Sequence, residues 1–412
     1  MSQAEHPRIL YVGGFEFPST RARAVQSLHT AHALARSGAT VRVVAQRARV
    51  DAATGESVLR DLGLEPHFRL SIVTVPALNI ERLSFVEIHK RLAVTNWSYG
   101  VGAVADLLRS WPRPDVVWTR DPRIAWMCLA AKRIHGVPVV YEVHEVFSTR
   151  PRDNSSLEAG RIWGVAARTR GLERRVFDGA DVLVPLTEAC ADYLVDAFGV
   201  PRSRLAVVPD AARLLNPRVE PAALQTDVVY AGQLYPWKGA GTLLEAVSRL
   251  SGVRLTVIGG SGDPAADGDL RAARALADSL GIADRTTFTG FVPHAEVAWR
   301  IAQARVAVVP LPDNLMARVF TSPLKLFEYM AAGVPIVASD LPSIREVLVH
   351  EQNALLVPPG DVPALSAAID RLLTDRALAE QLRARARRDV AEYTWERRAE
   401  RIIRAIAPIV GR

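Results

Sequence analysis

Between Arg318 and Pro342 the chain reads RVFTSPLKLFEYMAAGVPIVASDLP, residue types that suit an anion-receiving helix start followed by a buried strand. Thr321 and Ser322 are good helix caps, and Pro323 suits a first turn, where its missing N–H is no loss. The opening amides of a helix have no partner within it, and the dipole adds positive potential there. Thr321 to Leu324 is therefore a place for an anion, above all a diphosphate. Lys325 adds a cation on the same helix, and the Glu328 carboxylate, deeper along it, can reach ribose hydroxyls. Leu324, Phe327 and Met330 or Ala331 recur at helical spacing and predict the core face, while Gly333 predicts the stop before strand Val334–Ala338. As pattern alone, this is also an ordinary helix–strand unit.

Further candidates stand where strands end. In YAGQLYPWKGAGTLLEA, Tyr230 to Ala246, a strand delivers a glycine loop and Lys238 just ahead of a helix, placing a cation that can neutralise a diphosphate. Gln233 in the same loop offers neutral hydrogen bonds. The order is not that of a P-loop, which disfavours ATP hydrolysis. Gly13 and Gly14, at the end of the first strand, let backbone approach a ligand closely. GGFEFP followed by VRVVAQ lacks the three spaced glycines and the acidic residue of a dinucleotide site, so NAD is disfavoured. Arg21 and Arg23 follow as phosphate or acceptor ligands. His144 in VVYEVHEVF, Asp121 in TRDPRIA and Asp210 in VVPDAA also follow strands, and FTGFVPH, Phe288 to His294, reads as a turn before a helix. No HExxH spacing supports zinc chemistry, and no metal site is expected.

The elements that must position these residues alternate. Strands are predicted at Arg8–Val12, Val41–Ala45, Asp115–Thr119, Val139–Glu142, Val182–Pro185 and Leu205–Val208, with helices between them, and the order predicts a doubly wound parallel sheet. Residues 210–225 read as a connection. A second series follows, with strands predicted at Asp227–Ala231, Arg254–Ile258, Thr286–Thr289, Val306–Pro310, Pro335–Ala338 and Ala354–Val357. The domains expected are 1–209 and 226–390, with an amphipathic helix, Trp395–Ile409, in the tail 391–412. Residues Asn79 to Tyr99 are uninformative.

Composition agrees with two α/β domains: 412 residues, 49% hydrophobic, supply ample core for both. The net charge of +7 is spread among acids with no polybasic block, which argues against nucleic acid as a partner. The segment Arg161 to Arg175 is the best candidate for a basic helix, with contact to anionic lipid the alternative to a solvated face. Cys128 and Cys190 show neither close pairing nor metal spacing and are expected as buried thiols. The N-terminus has no signal-peptide pattern and no apolar run spans a bilayer, so a cytoplasmic enzyme is expected.

TSPLKLFEYMAAGVPIVASD, together with YAGQLYPWKG, closely resembles the donor-binding signature of retaining glycosyltransferases of family four. The resemblance implies a GT-B fold, with two facing Rossmann-like domains, a cleft between them and a terminal helix returning to the first. It also implies transfer of a sugar from a nucleotide-diphosphate sugar, UDP or GDP, with no other cofactor. Glu328 then binds ribose, amides of Ser322 to Leu324 bind phosphate or sugar oxygens, and Lys238 binds donor phosphates. Gly13 and Gly14 touch the transferred sugar or pyrophosphate, and His144 contacts the sugar. Backbone near Phe291 and Val292 faces the base. Many members carry a glutamate where this chain has Phe320 and an arginine where it has Gln233, so the donor sugar stays open. The acceptor, with Arg21, Arg23 and Asp121 on its side, is equally open among a sugar, a lipid-linked sugar, a small thiol and a natural-product core. A nucleotide-sugar epimerase and a non-catalytic nucleotide-sugar sensor remain the alternatives.

Overall fold

Short runs rich in Val and Ile form most of the strands, and the burial of the central ones on both faces marks parallel sheets covered by helices. The computed structural model describes residues 6–19, 21–47, 55–78, 88–109, 112–149, 166–214, 224–260 and 267–410. Met1–Pro209 with Trp395–Arg412 form one unit, and Asp210–Thr394 the other.

Unit 1 runs β1 (Arg8–Phe17), α1 (Ala22–Arg36), β2 (Thr40–Arg47), α2 (Gly55–Asp61), β3 (Leu70–Val75) and α3 (Ile88–Arg109). It continues with β4 (Val116–Thr119), α4 (Pro122–His135), β5 (Val139–Val143), α5 (Ala166–Gly179), β6 (Val182–Pro185) and α6 (Glu188–Phe198). Unit 2 runs β7 (Thr226–Ala231), α7 (Ala240–Ser248), β8 (Leu255–Ile258), α8 (Gly268–Ser279), β9 (Thr286–Gly290), α9 (His294–Ile301) and β10 (Ala304–Val309). Then come α10 (Leu324–Ala332), β11 (Ile336–Ser339), α11 (Pro342–Arg345), β12 (Leu355–Val357), α12 (Val362–Thr374) and α13 (Arg376–Asp389), before α14 (Trp395–Ile406) completes unit 1.

Both sheets are parallel, ordered β3-β2-β1-β4-β5-β6 and β12-β11-β10-β7-β8-β9, the same Rossmann-like order read from opposite edges. The order reverses between β1 and β4 and between β7 and β10, where ligands of such sheets bind beyond the strand ends. In unit 2, Val228, Tyr230, Val306 and Val308 enter one core, and Val229, Ala231, Ala307 and Val309 enter the other. This is the strand period of two, with both faces apolar. Each fully buried Val or Leu there contributes roughly 1.5–3 kcal/mol.

On α14, Trp395, Arg398, Ala399, Ile402 and Ile406 are buried at helical spacing, and the Trp395 ring stacks on His29 of α1 at 4.9 Å. No helix among the described residues is long and apolar enough to cross a membrane. Cys128 and Cys190 are buried and outside any disulfide.

Several expectations need correction. β1 does not stop at Val12 but runs to Phe17, with its register shifting between Val12 and Glu16, so Gly13 and Gly14 lie in a strand irregularity rather than a loop. Leu205 makes only an isolated bridge to Leu183, not a strand. Asp210 and Ala212, at the start of the expected connection, are tied into unit 2: the Asp210 amide donates to Ser322 Oγ and Ala212 bridges to Thr394, while residues 215–223 lie outside the described residues. Of the expected basic helix, residues 161–165 lie outside the described residues.

Candidate functional site

The unit 2 constellation begins where β7 ends. Tyr329 of α10 accepts the Ala231 amide at 2.7 Å, fixing the strand end to the helix, and Tyr230 Oη donates to the Gln233 carbonyl at 2.9 Å. Gln233 itself is exposed. A short 3-10 turn, Pro236–Lys238, follows and closes on Gly239 at φ 78°. A side chain there would meet the Pro310 carbonyl at 1.7 Å. Lys238 Nζ sits 4.0 Å over the Trp237 ring, which stacks on Tyr235 at 5.8 Å.

Helix α10 opens differently from the expectation. Its N-cap is Pro323, and no side chain caps it; Leu324 is the first helical residue. A π-helical turn at Met316–Phe320 precedes it and turns Thr321 back, so that its hydroxyl donates to the Met316 carbonyl at 2.8 Å. Ser322 Oγ accepts the Asp210 amide at 3.0 Å. With both hydroxyls engaged elsewhere, the opening amides of α10 are capped by none of its own side chains.

Lys325 is buried against the Tyr230 ring, its Nζ 3.7 Å from the centroid, with no hydrogen-bond partner. Burial, and then Lys238, hold the amine well below the usual lysine range, with Glu328 opposing. The same Nζ lies 3.0 Å from where a side chain at Gly232 would begin. The loop after β7 thus lies directly on a buried amine. Glu328 projects from the next turn, and His294 Nε2 of α9 lies 2.8 Å from its Oε1. Burial works against a charged His294, but the hydrogen bond and charge of Glu328 prevail and raise its pKa.

The turn before α9 divides the predicted base-pocket pair. Phe291 is exposed, whereas the Val292 side chain packs in the core, leaving only its backbone to face a ligand. Phe320 is buried as well and offers no polar group.

Unit 1 gathers a second constellation beyond β1, β4 and β5. Tyr99 Oη donates to the Gly13 carbonyl, and Arg23 Nη1 donates to the Gly14 carbonyl at 3.0 Å. Asp121 caps α4 through the amides of Arg123 and Ile124 and takes two further bonds from the Arg123 guanidinium. Arg123 and Arg23 hold this carboxyl below its ordinary range although burial opposes them. The Asp121 carboxylate is thereby engaged by the helix start and by Arg123. Arg21 is exposed and caps nothing.

His144 Nε2 lies 3.1 Å from Glu142 Oε1, and burial and Arg120 lower the ring to about 3, so it is neutral. Glu142 is fully buried and accepts from Gln26 and Trp118 Nε1, both at 2.9 Å, and from Arg398 of α14. Burial alone would raise this carboxyl; the guanidinium groups of Arg398 and Arg120 hold it well below the usual range. Arg398 also donates to the Val208 and Pro209 carbonyls and to Thr30. Sequence reasoning passed over Glu142, Arg398, His294 and Tyr329, whose partners come from distant elements. Gly259 and Gly260 were also missed, though GG after a strand was a visible signal; a side chain at Gly259 would meet the Gly232 carbonyl at 2.1 Å. Among the described residues no cluster of His, Cys, Asp and Glu suits a metal.

Comparison with known proteins finds two domain models in the chain. Residues 23–211 match the glycosyl transferase 4-like domain, and residues 225–375 match glycosyl transferases group 1. A D-inositol 3-phosphate glycosyltransferase of Xylanimonas cellulosilytica is 28% identical over 94% of this chain and 92% of its own. Among solved structures, sucrose-phosphate synthase from Thermosynechococcus elongatus superposes with a TM-score of 0.75 at 20% identity, covering 96% of this chain and 97% of the other. The Anabaena HepE protein in complex with UDP and glucose gives 0.70 at 17% identity, covering 97% and 99%.

Proposed function

Because the chain carries two glycosyl transferase domains and is a glycosyltransferase of GT-B type, we propose that it transfers a sugar from a nucleotide-diphosphate sugar to an acceptor with retention of configuration. The observation that carries this reading is the grouping of Lys238, Lys325, Glu328 and the side-chain-uncapped start of α10 around the end of β7. Each part has one task. Lys238 and the opening amides of α10 bind the diphosphate and stabilise the charge that grows on it as the glycosidic bond breaks. Lys325 supplies a buried amine beneath the same loop. Glu328 accepts from ribose hydroxyls, and the exposed turn at Phe291 meets the base.

Retention follows a front-face course, in which the departing phosphate takes the acceptor's proton. No paired carboxylates of the glycosidase kind are then needed. In unit 1, Gly13 and Gly14 bring backbone close to the sugar, and a neutral His144 donates or accepts one hydrogen bond to orient it. Phe320 presents no carboxylate to the donor sugar, which leaves recognition on unit 2 to backbone. The relative named for inositol phosphate and the neighbour solved with UDP and glucose support a search that starts from UDP-sugars and polyol phosphates.

A mass-spectrometric screen of UDP- and GDP-sugars against acceptor panels tests the proposal. Glycosylated product with release of nucleoside diphosphate is the expected result. Isomerised sugar without any acceptor would show an epimerase, and binding without turnover across the panel a sensor.

A further inference from the structure

Glu328 does not meet a ligand as a free side chain. Its Oε1 is engaged by His294 Nε2 at 2.8 Å, and the two carboxylate oxygens are therefore unequal before anything binds. The histidine arrives from another element: it opens α9 behind an extended Pro293, while β9 ends on Gly290 at φ 68° and Val292 is anchored in the core. Both side chains keep some exposure, 29% for His294 and 17% for Glu328, so the pair lies at a surface that a ligand can reach. Of the other charges of α9 and α10, Arg300 and Glu296 pair with one another at 3.5 Å, and Lys325 points beneath the Gly232 loop while still feeling the Glu328 charge.

An unrestrained glutamate samples many rotamers and loses that freedom when it binds. A charge-assisted bond to one oxygen fixes the carboxylate plane and directs the other oxygen's lone pairs. We propose that His294 is a positioning residue for nucleotide recognition, holding Oε1 of Glu328 so that Oε2 meets a ribose hydroxyl and setting the preference for ribo- over deoxyribonucleotides. This rests on the assignment of Glu328 to ribose.

Calorimetric titration with UDP and GDP, and with their 2′-deoxy and 3′-deoxy counterparts, tests it on wild type, His294→Ala, His294→Gln and Glu328→Ala. Wild type should favour the ribo form by about tenfold, the worth of one charge-assisted bond. His294→Ala should cut that preference to about threefold or less with deoxy affinity unchanged, and His294→Gln, which keeps a donor, should recover most of it. A residue that merely fills space would weaken ribo and deoxy forms alike, and that result overturns the proposal, as does a full preference in His294→Ala. Glu328→Ala separates the two claims. Loss of preference there upholds the ribose assignment even when His294 fails, whereas an undiminished preference removes both.

Discussion

Glu142 and Glu328 each stand beside a histidine, at 3.1 and 2.8 Å, but they sit in opposite surroundings. Glu142 is fully enclosed and collects Gln26, Trp118 and Arg398 besides His144, whose ring is driven to about 3 by burial and Arg120. Glu328 keeps part of its surface, and its histidine is shifted upward by the carboxylate itself. The same two side chains thus serve different ends. A saturated carboxylate ties elements of unit 1 together, and a half-engaged one on unit 2 retains capacity for a ligand.

Removing the tie should produce the largest effect. Arg398→Met leaves Glu142 buried without its guanidinium, and a loss of about 3–5 kcal/mol is expected from breaking a buried pair. Urea denaturation followed by hydrogen exchange in α14 measures it. An effect within about 0.5 kcal/mol, the range of ordinary surface substitutions, would mean that the network does not hold α14.

Acid should act next, and on the same unit. His144 titrates near its ordinary 6.5 when unfolded and at about 3 when folded, so between these values the unfolded chain binds the extra proton. Its contribution to stability is complete above 6.5 and is lost as pH falls toward 3. Glu142, also depressed, adds a loss of the same sign below its ordinary 4.5. His144→Gln should flatten the part of the curve that lies above about pH 4.5, where Glu142 adds little. An unaltered slope would show that the ring is not kept neutral. For His294 the sign is reversed: its raised pKa contributes stability below 6.5 that is lost as pH rises through the folded value.

The smallest structural effect belongs to Tyr329→Phe, which removes the acceptor of the Ala231 amide. About 1–3 kcal/mol is expected for leaving that buried donor without its partner. Wild-type stability in the variant would show that the strand end is held by other contacts.

How much of this was legible depended on whether a residue's role is local. Val and Ile runs predicted most strands, and Gly333 was readable as a helix stop, which it is at φ 65°. β3 escaped because LSIVTV is only partly buried at this sheet edge. α13 escaped because RALAEQLRARARRD is charged nearly all round, with Leu382 and Ala386 alone buried. The start of α10 moved because a π-helical turn, invisible in composition, redirected Thr321. Lys238, Lys325 and Glu328 were readable as candidates from their motifs. His294 was not, since its partner lies 34 residues away on another helix. Arg398 was hidden likewise: a charge on the apolar face of α14 makes sense only once β5 supplies Glu142.

Unit 2 as the nucleotide-diphosphate site is tested most directly by calorimetry of UDP and GDP with wild type and Lys238→Ala. The loop around Lys238 is held by Gly239 and the Tyr230 contact, so the variant should fold normally. Its affinity should fall by about tenfold or more, the loss of one charge-assisted phosphate contact. Equal affinity in the two proteins would contradict the assignment.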